Sequence, residues 1–194
     1  MSLPAHDVVV LAGGAGRRMG GVDKAELVIG GERLLDRVLA AVPGAERRVV
    51  VGPVRPSREP VAWCCEDPSG GGPACALAAS MRFVHAPYAV VLAVDLPLVG
   101  AAVVAQLLAA AFGRDGAVGV DASGRDQPLL ATYEVGALRT ALADGGSLAG
   151  ASMRSVVARL DVARIEVAEA AMDCDTWAEV AQAEIAVARA GGSP

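Results

Sequence analysis

The chain has 194 residues and a formal net charge of −5, and 54% of its residues are hydrophobic while only 3% are aromatic. A chain of this length can bury one substantial core, so residues 1–190 are expected to form a single domain and Gly191–Pro194 a frayed tail. Its dispersed basic residues and scarce aromatic residues argue against a nucleic acid polymer as partner.

The longest apolar stretch, Tyr88–Phe112, is interrupted by Asp95, Pro97 and Gln106. No run therefore approaches the roughly 18 residues that a membrane helix needs. The N-terminus also lacks the charged and apolar segments of a secretory signal. The chain is expected to lie in the cytoplasm without a membrane partner. Its four cysteines form no CxxC pair, which argues against a zinc site.

Short β-branched runs alternate with amphipathic helices along the chain. The predicted strands are residues 7–12, 48–52, 61–65, 88–94, 117–121, 127–133 and 164–167. The predicted helices are residues 34–42, 73–83 and 101–112, two that begin near residues 135 and 152, and one that runs from a capping box at residues 176–179 through 188. This alternation predicts a three-layer α/β/α, Rossmann-like domain with a mostly parallel sheet. In such folds, ligands bind beyond the carboxyl ends of the strands.

The segment Leu11–Lys24 leaves the first strand at that edge. Its five glycines let backbone amides approach an anion closely, while Arg17, Arg18 and Lys24 supply positive charge. It is not a Walker A loop, because no Gly-Lys-Ser/Thr closes it, nor a dinucleotide fingerprint, because Met19 stands at the third glycine position. The segment therefore predicts a grip for a triphosphate, and a flexible glycine loop with solvated arginines is the alternative.

Two further acidic residues follow predicted strands. Asp95 comes directly after strand 88–94, and Mg²⁺ prefers one or two such carboxylates together with phosphate oxygens. Asp67 stands before a proline in a glycine-rich loop that follows strand 61–65. An ordinary helix N-cap at Asp95 and an ordinary turn at Asp67 are the alternatives.

Residues 11–24 match the whole pattern Leu-Ala-Gly-Gly-x-x-x-Arg-Met-Gly-Gly-x-Asp-Lys, which resembles the signature of molybdenum cofactor guanylyltransferases. Members of that family transfer GMP from GTP to molybdopterin and release pyrophosphate. Residues 94–97, Val-Asp-Leu-Pro, are similar to the magnesium motif of the family. The resemblance implies a nucleotidyltransferase fold, an enzyme of this type and Mg²⁺ bound by Asp95.

The resemblance also implies the roles of individual side chains. Arg18, Lys24 and Asp95 are the expected catalytic residues. The expected nucleotide contacts are Leu11, Ala12, Gly13, Gly14, Gly16, Lys24, Asp67 and Asp95, with the Asp67 carboxylate accepting guanine N–H groups or ribose hydroxyls. Charge neutralisation by such groups is what nucleotidyl transfer chiefly needs.

The second half of the chain matches the family more weakly. Arg125–Pro128 resembles a segment that usually reads His-Pro, and Asp173–Thr176 resembles a segment associated with the pterin. An ordinary helix cap at Asp175 or Thr176 is the favoured interpretation there. Residues 50–53 offer no side-chain amide where family members can present an Asn to the nucleotide.

The predicted substrates are GTP and molybdopterin. The expected state is a monomer that makes transient contacts with proteins of molybdoenzyme maturation. The alternatives are a cytidylyl- or guanylyltransferase of the same fold that acts on another phosphate acceptor, and a catalytically silent nucleotide-binding module. Cytidylyltransferases that act on the same pterin share this fold but tend to read Ala-Ala-Gly where this chain has Ala12–Gly14, so GTP is preferred over CTP. A dehydrogenase is disfavoured by the glycine spacing.

Overall fold

The computed structural model describes residues 3–13, 19–67, 69–144 and 146–191. The strands are β1 (His6–Leu11), β2 (Val28–Ile29), β3 (Glu32–Arg33), β4 (Arg48–Val51), β5 (Ala62–Cys64), β6 (Tyr88–Ala93), β7 (Gly116–Val120), β8 (Asp126–Glu134) and β9 (Val162–Glu166). The helices are α1 (Leu34–Ala40), α2 (Pro73–Ser80), α3 (Ala101–Ala110), α4 (Val135–Ala143), α5 (Met153–Val157) and α6 (Trp177–Gly191). Helix α6 therefore takes up the first residue of the predicted tail, and residues 192–194 lie outside the described ranges.

Seven strands form one sheet in the order β5-β4-β1-β6-β8-β7-β9. Strand β8 is antiparallel to both of its neighbours, and the other adjacent pairs are parallel. This confirms the predicted mostly parallel sheet. The expected pairing of residues 117–121 with residues 127–133 is also present, as the β7–β8 hairpin.

Strand β1 shows how the helices form two layers. Val8 and Val10 belong to the core on the side of α1 and α3, whereas Val9 and Leu11 belong to the core on the side of α2, α4 and α5. Successive side chains of a strand point to opposite faces, so a continuous apolar run is expected where helices cover both faces. The predicted three-layer α/β/α architecture is confirmed.

A smaller unit not predicted from the sequence joins the two-residue strands β2 and β3 to helix α6. Ile29 and Leu34 share a buried cluster with Cys174 and Ala183. Helix α6 begins with the predicted capping box: the Thr176 backbone N–H donates to Glu179 Oε2 (2.7 Å), and the Glu179 N–H donates to Thr176 Oγ1 (3.3 Å).

The chain order creates a switch point between β1 and β6. From β1 the chain passes through α1 to β4 and β5 on one side, and then returns to β6 on the other side of β1. Loops leaving the carboxyl ends of two such strands diverge, and the crevice between them is where α/β sheets bind ligands. Separately, none of the described helices combines the length and the hydrophobicity of a membrane span.

Candidate active site

The start of the first loop is held by both neighbouring strands. The Ala12 N–H donates to the carbonyl oxygen of Val51 at 2.8 Å, and the Val94 N–H donates to that of Leu11 at 3.1 Å. Leu11 and Ala12 are buried, whereas Gly13 is exposed. The loop therefore leaves the sheet at the switch point from a fixed backbone position.

The loop after β4 begins at Gly52, where the structure leaves no room for a side chain. Its φ is 150°, and a Cβ atom placed there would lie 2.9 Å from the carbonyl oxygen of Ala12. Real Cβ atoms do not approach a backbone oxygen so closely. The residue is thus a glycine because the start of the first loop packs directly against it.

The middle of the first loop, residues 14–18, lies outside the described residues, and with it the predicted positions Gly14, Gly16 and Arg18. Met19, which follows this segment, is buried. The predicted roles of these three residues therefore remain predictions.

Lys24 opens a short 3₁₀ helix, Lys24–Glu26, whose N-cap is Asp23. Asp23 Oδ1 accepts a hydrogen bond from the Ala25 N–H at 3.1 Å, and Asp23 Oδ2 accepts one from Arg55 Nε at 2.6 Å. The two bonds orient the turn, so the side chain of Lys24 is presented from a fixed backbone.

The Lys24 ammonium group lies between two carboxylates. Its Nζ donates to Asp95 Oδ2 at 2.7 Å and also to Asp175 Oδ1. The side chains of Lys24, Asp95 and Asp175 are 18%, 21% and 33% exposed. The structure thus brings the predicted Lys24 and Asp95 together. Of the two residues predicted as a helix cap, Thr176 is the cap, whereas the Asp175 carboxylate accepts from Lys24.

Partial burial and the surrounding carboxylates shift the titration of this cluster. Burial lowers the pKa of Lys24, but the hydrogen bonds and negative charges of Asp175 and Asp95 outweigh it, so the net pKa lies above the usual 10.5. Burial and then the charges of Asp95 and Asp175 raise the pKa of Asp173. Burial raises the pKa of the Cys174 thiol to about 12. Lys24 is therefore firmly protonated at neutral pH.

The Asp173–Asp175 segment is also joined to the loop after β6 through the backbone. The Cys174 N–H donates to the carbonyl oxygen of Asp95 at 3.1 Å, and the Cys174 side chain is fully buried. Asp95 is therefore supported on one side by its own strand and on the other by the segment that leads into α6.

The residues around Asp95 suit Mg²⁺ better than a metal ion whose ligands all come from protein side chains. Among the described residues, no three His, Cys, Asp or Glu side chains are grouped to hold a metal ion. Mg²⁺ needs only one or two carboxylates when substrate phosphates and water complete its shell. The partly exposed Asp95 carboxylate at a strand tip meets that requirement.

Asp67 lies apart from this cluster, in the loop between β5 and α2. It is exposed and lines a cavity of about 460 Å³ that also borders Cys65, Cys75, Arg82 and residues 146–149. Within the described chain, no hydrogen bond or ion pair joins Asp67 to Lys24 or Asp95. The sheet thus presents two acidic positions at its ligand-binding edge, one at the switch point and one nearer the β5 side.

Two contributions to the site were missed from the sequence. Arg55, which holds Asp23, gave no signal, because a lone arginine in a proline-rich loop has no pattern. Asp175 had a weak signal, since it stands with Asp173 in a segment that resembles the pterin side of the family. Because Asp175 also precedes a predicted helix, its sequence position was equally compatible with helix capping.

Comparisons with known proteins agree with this fold. A family model of the MobA-like NTP transferase domain matches residues 8–164. A probable molybdenum cofactor guanylyltransferase from Opitutus terrae is 40% identical over 139 residues, which are 68% of this chain and 68% of that protein. Three further curated relatives are matched over 56%, 60% and 66% of their own length.

Solved structures give the same result for the fold alone. Molybdopterin-guanine dinucleotide biosynthesis protein A from Archaeoglobus fulgidus has a TM-score of 0.72 at 24% identity, over 94% of this chain and 99% of that chain. A 2-C-methyl-D-erythritol 4-phosphate cytidylyltransferase from Thermus thermophilus has a TM-score of 0.71 at 22% identity, over 93% and 98%. With the family model covering most of its length, the chain belongs to the MobA-like NTP transferase family and is a nucleotidyltransferase, as its first loop predicted.

Proposed function

We propose that this protein transfers GMP from GTP to molybdopterin, with release of pyrophosphate. One observation carries the proposal: Lys24 Nζ lies 2.7 Å from Asp95 Oδ2, at the switch point between β1 and β6. The cation of the triphosphate loop and the carboxylate of the magnesium motif thereby share one site. The name of the Opitutus terrae relative supports the choice of GTP and of the molybdenum cofactor.

In this proposal Lys24 exchanges partners when nucleotide binds. Its ammonium group is a compact charge on a flexible stem, so it can turn from the two carboxylates towards phosphate oxygens. Its raised pKa keeps it charged throughout the neutral range. Before nucleotide binds, Asp175 holds Lys24 beside Asp95, and the triphosphate then competes for the Lys24 ammonium group.

Asp95 is proposed to hold Mg²⁺, which when bound would neutralise charge on the phosphate oxygens of GTP. A terminal phosphate oxygen of molybdopterin attacks the α-phosphorus in line. The bond between that phosphorus and the bridging oxygen breaks, and pyrophosphate leaves with the electron pair. Lys24 and Arg18 are proposed to stabilise the charge that develops. Backbone groups of residues 11–16 are proposed to cradle the nucleotide.

The transfer is tested by incubating the protein with Mg²⁺, GTP and molybdopterin and determining the mass of the product. A molybdopterin–guanine dinucleotide and one pyrophosphate per transfer are expected. Asp95→Ala should lower pyrophosphate release at least about 100-fold, in line with other losses of transition-state charge stabilisation. Asp144→Ala, at an exposed aspartate after α4, is the matched control and should retain the wild-type rate. A catalytically silent module would release no pyrophosphate with any variant.

Base selectivity is proposed to depend on Asp67, whose exposed carboxylate can accept guanine N–H groups. Because a cytidylyltransferase shares this fold, titrations with GTP and CTP are the direct comparison. We expect GTP to bind more tightly than CTP. Asp67→Asn should lower the affinity for GTP about tenfold and leave the affinity for CTP unchanged. Equal affinity of the wild type for both nucleotides would contradict the assignment of guanine.

We further propose that the chain forms a single domain and acts as a monomer in the cytoplasm. It is proposed to make transient contacts with proteins of molybdoenzyme maturation. Sedimentation of the purified protein over a range of concentrations is the corresponding measurement. A concentration-independent mass near 19.5 kDa is expected.

A further inference from the structure

A second cavity, whose lining does not include the Lys24 cluster, is bordered by three arginines. It has a volume of about 360 Å³ and lies between α5 and the strands β8 and β9. Its lining residues are Gly124, Arg125, Asp126, Pro128, Arg154, Val157, Ala158, Val162 and Arg164. None of these residues belongs to the proposed transferase site.

The cavity carries excess positive charge in a chain whose net charge is −5. Its lining contains three arginines and one aspartate. Arg164 Nε donates to Asp126 Oδ1 at 2.6 Å, and Arg164 Nη2 donates to the carbonyl oxygen of Gly124 at 2.9 Å. Arg164 thus neutralises the Asp126 carboxylate and is itself fixed in position.

The other two arginines, Arg125 and Arg154, are exposed. Across the described ranges, neither guanidinium group makes an ion pair or a hydrogen bond. Many other arginines do have such partners: Arg33, Arg37, Arg48, Arg55, Arg58, Arg114, Arg139 and Arg159. Two uncommitted guanidinium groups on one cavity are therefore available to an anion.

The remaining wall of the cavity is apolar and is formed by Pro128, Val157, Ala158 and Val162. Val157 is buried at the edge of the core, so this wall is backed by packed residues. Guanidinium groups bind phosphate oxygens in pairs, and an apolar wall favours the organic part of a ligand. The combination suits a phosphorylated small molecule better than a bare ion.

We propose that this arginine-lined cavity binds a phosphorylated small molecule, with its phosphate groups on Arg125 and Arg154 and its organic part against the apolar wall. The inference goes beyond the proposed transfer reaction and does not depend on it.

The test uses Lys24→Ala protein in Mg²⁺-free buffer, which weakens phosphate binding at the proposed transferase site. GDP and inorganic pyrophosphate are titrated separately by calorimetry at low salt. GDP should bind saturably and more tightly than pyrophosphate. Adding Arg154→Gln should lower the affinity for GDP at least about tenfold, because a charged hydrogen-bonding partner is lost. Adding Arg189→Gln, at an exposed arginine of α6, is the matched control and should change affinity less than about twofold.

Three results would overturn the inference. They are the absence of saturable GDP binding to the Lys24→Ala protein, equal affinity of the Arg154→Gln and Arg189→Gln variants, and GDP binding no tighter than pyrophosphate. In an otherwise wild-type background, Arg154→Gln should release pyrophosphate from GTP and molybdopterin at the wild-type rate. A parallel loss of that rate would assign the cavity to the transferase site and would also overturn the inference.

Discussion

We expect the contact between Lys24 and Asp175 to make a measurable contribution to the free energy of unfolding. The perturbation is Asp175→Asn, which removes the negative charge and keeps a side-chain oxygen in place. The two side chains are 18% and 33% exposed. The exposure of this pair is intermediate between that of exposed ion pairs, which contribute about 0.2–1 kcal/mol, and that of buried pairs, whose disruption costs about 3–5 kcal/mol. We therefore expect a coupling energy of about 1–2 kcal/mol.

A double-mutant cycle isolates this coupling. Urea unfolding is followed at pH 7 for the wild type, Asp175→Asn, Lys24→Met and the double variant, and the coupling energy is the non-additive part of the three changes. Asp144→Asn makes the same chemical change at an exposed aspartate and should shift stability by less than about 0.5 kcal/mol. A coupling energy below about 0.3 kcal/mol would refute the electrostatic account of the cluster.

The pH dependence of the coupling has a definite sign. The folded protein raises the pKa of Lys24 above 10.5, so the folded state holds this proton more tightly than the unfolded state. The stabilisation is therefore fully present below pH 10.5 and is lost as the pH rises through the higher folded value. The cycle repeated at pH 8 should give the same coupling energy as at pH 7. A decline between these two values would contradict the raised pKa.

Three further predictions concern the surroundings of the cluster. Gly52→Asn should lower the free energy of unfolding in urea by at least about 2 kcal/mol, because its Cβ would lie 2.9 Å from a carbonyl oxygen, whereas Gly31→Asn, with φ of 76° and open space, should cost less than about 1 kcal/mol. Asp173→Asn should raise the free energy of unfolding at pH 7, because burial and neighbouring carboxylates raise the pKa of this acid. This gain in stability should shrink as the pH falls towards 3.8. A gain that stays constant with pH would be inconsistent with a charge effect. Iodoacetamide should modify the exposed Cys65 in the native protein and leave the buried Cys174 untouched until denaturant is added, as peptide mass mapping would show; equal rates would contradict the burial.

The sequence predicted those parts of the fold in which a local pattern is strong. Strand β6 is a mostly apolar run that ends at Ala93, two residues before Asp95, so both the buried strand and the carboxylate just beyond it could be recognised. Helix α6 could be recognised from its capping box. The predicted boundaries agree with the structure to within a few residues.

The parts that could not be predicted depend on distance or on very short elements. Strands β2 and β3 have two residues each, too few to show a period of alternation. The partners of Lys24 are 71 and 151 residues away, and no local pattern specifies which carboxylates meet at an ammonium group. The role of Gly52 likewise depends on the position of Ala12, just after the neighbouring strand β1.

The contact between Lys24 and Asp175 also has a consequence for biosynthesis. Its two residues are separated by 151 positions in the chain. At about 5–20 residues per second, a ribosome needs roughly 8–30 s to make the intervening polypeptide. Strands β1, β4 and β6 can pair during that interval, but Lys24 then faces Asp95 alone. The complete cluster forms only when the segment leading into α6 has emerged, so nascent chains that already contain the nucleotide loop still lack the finished site.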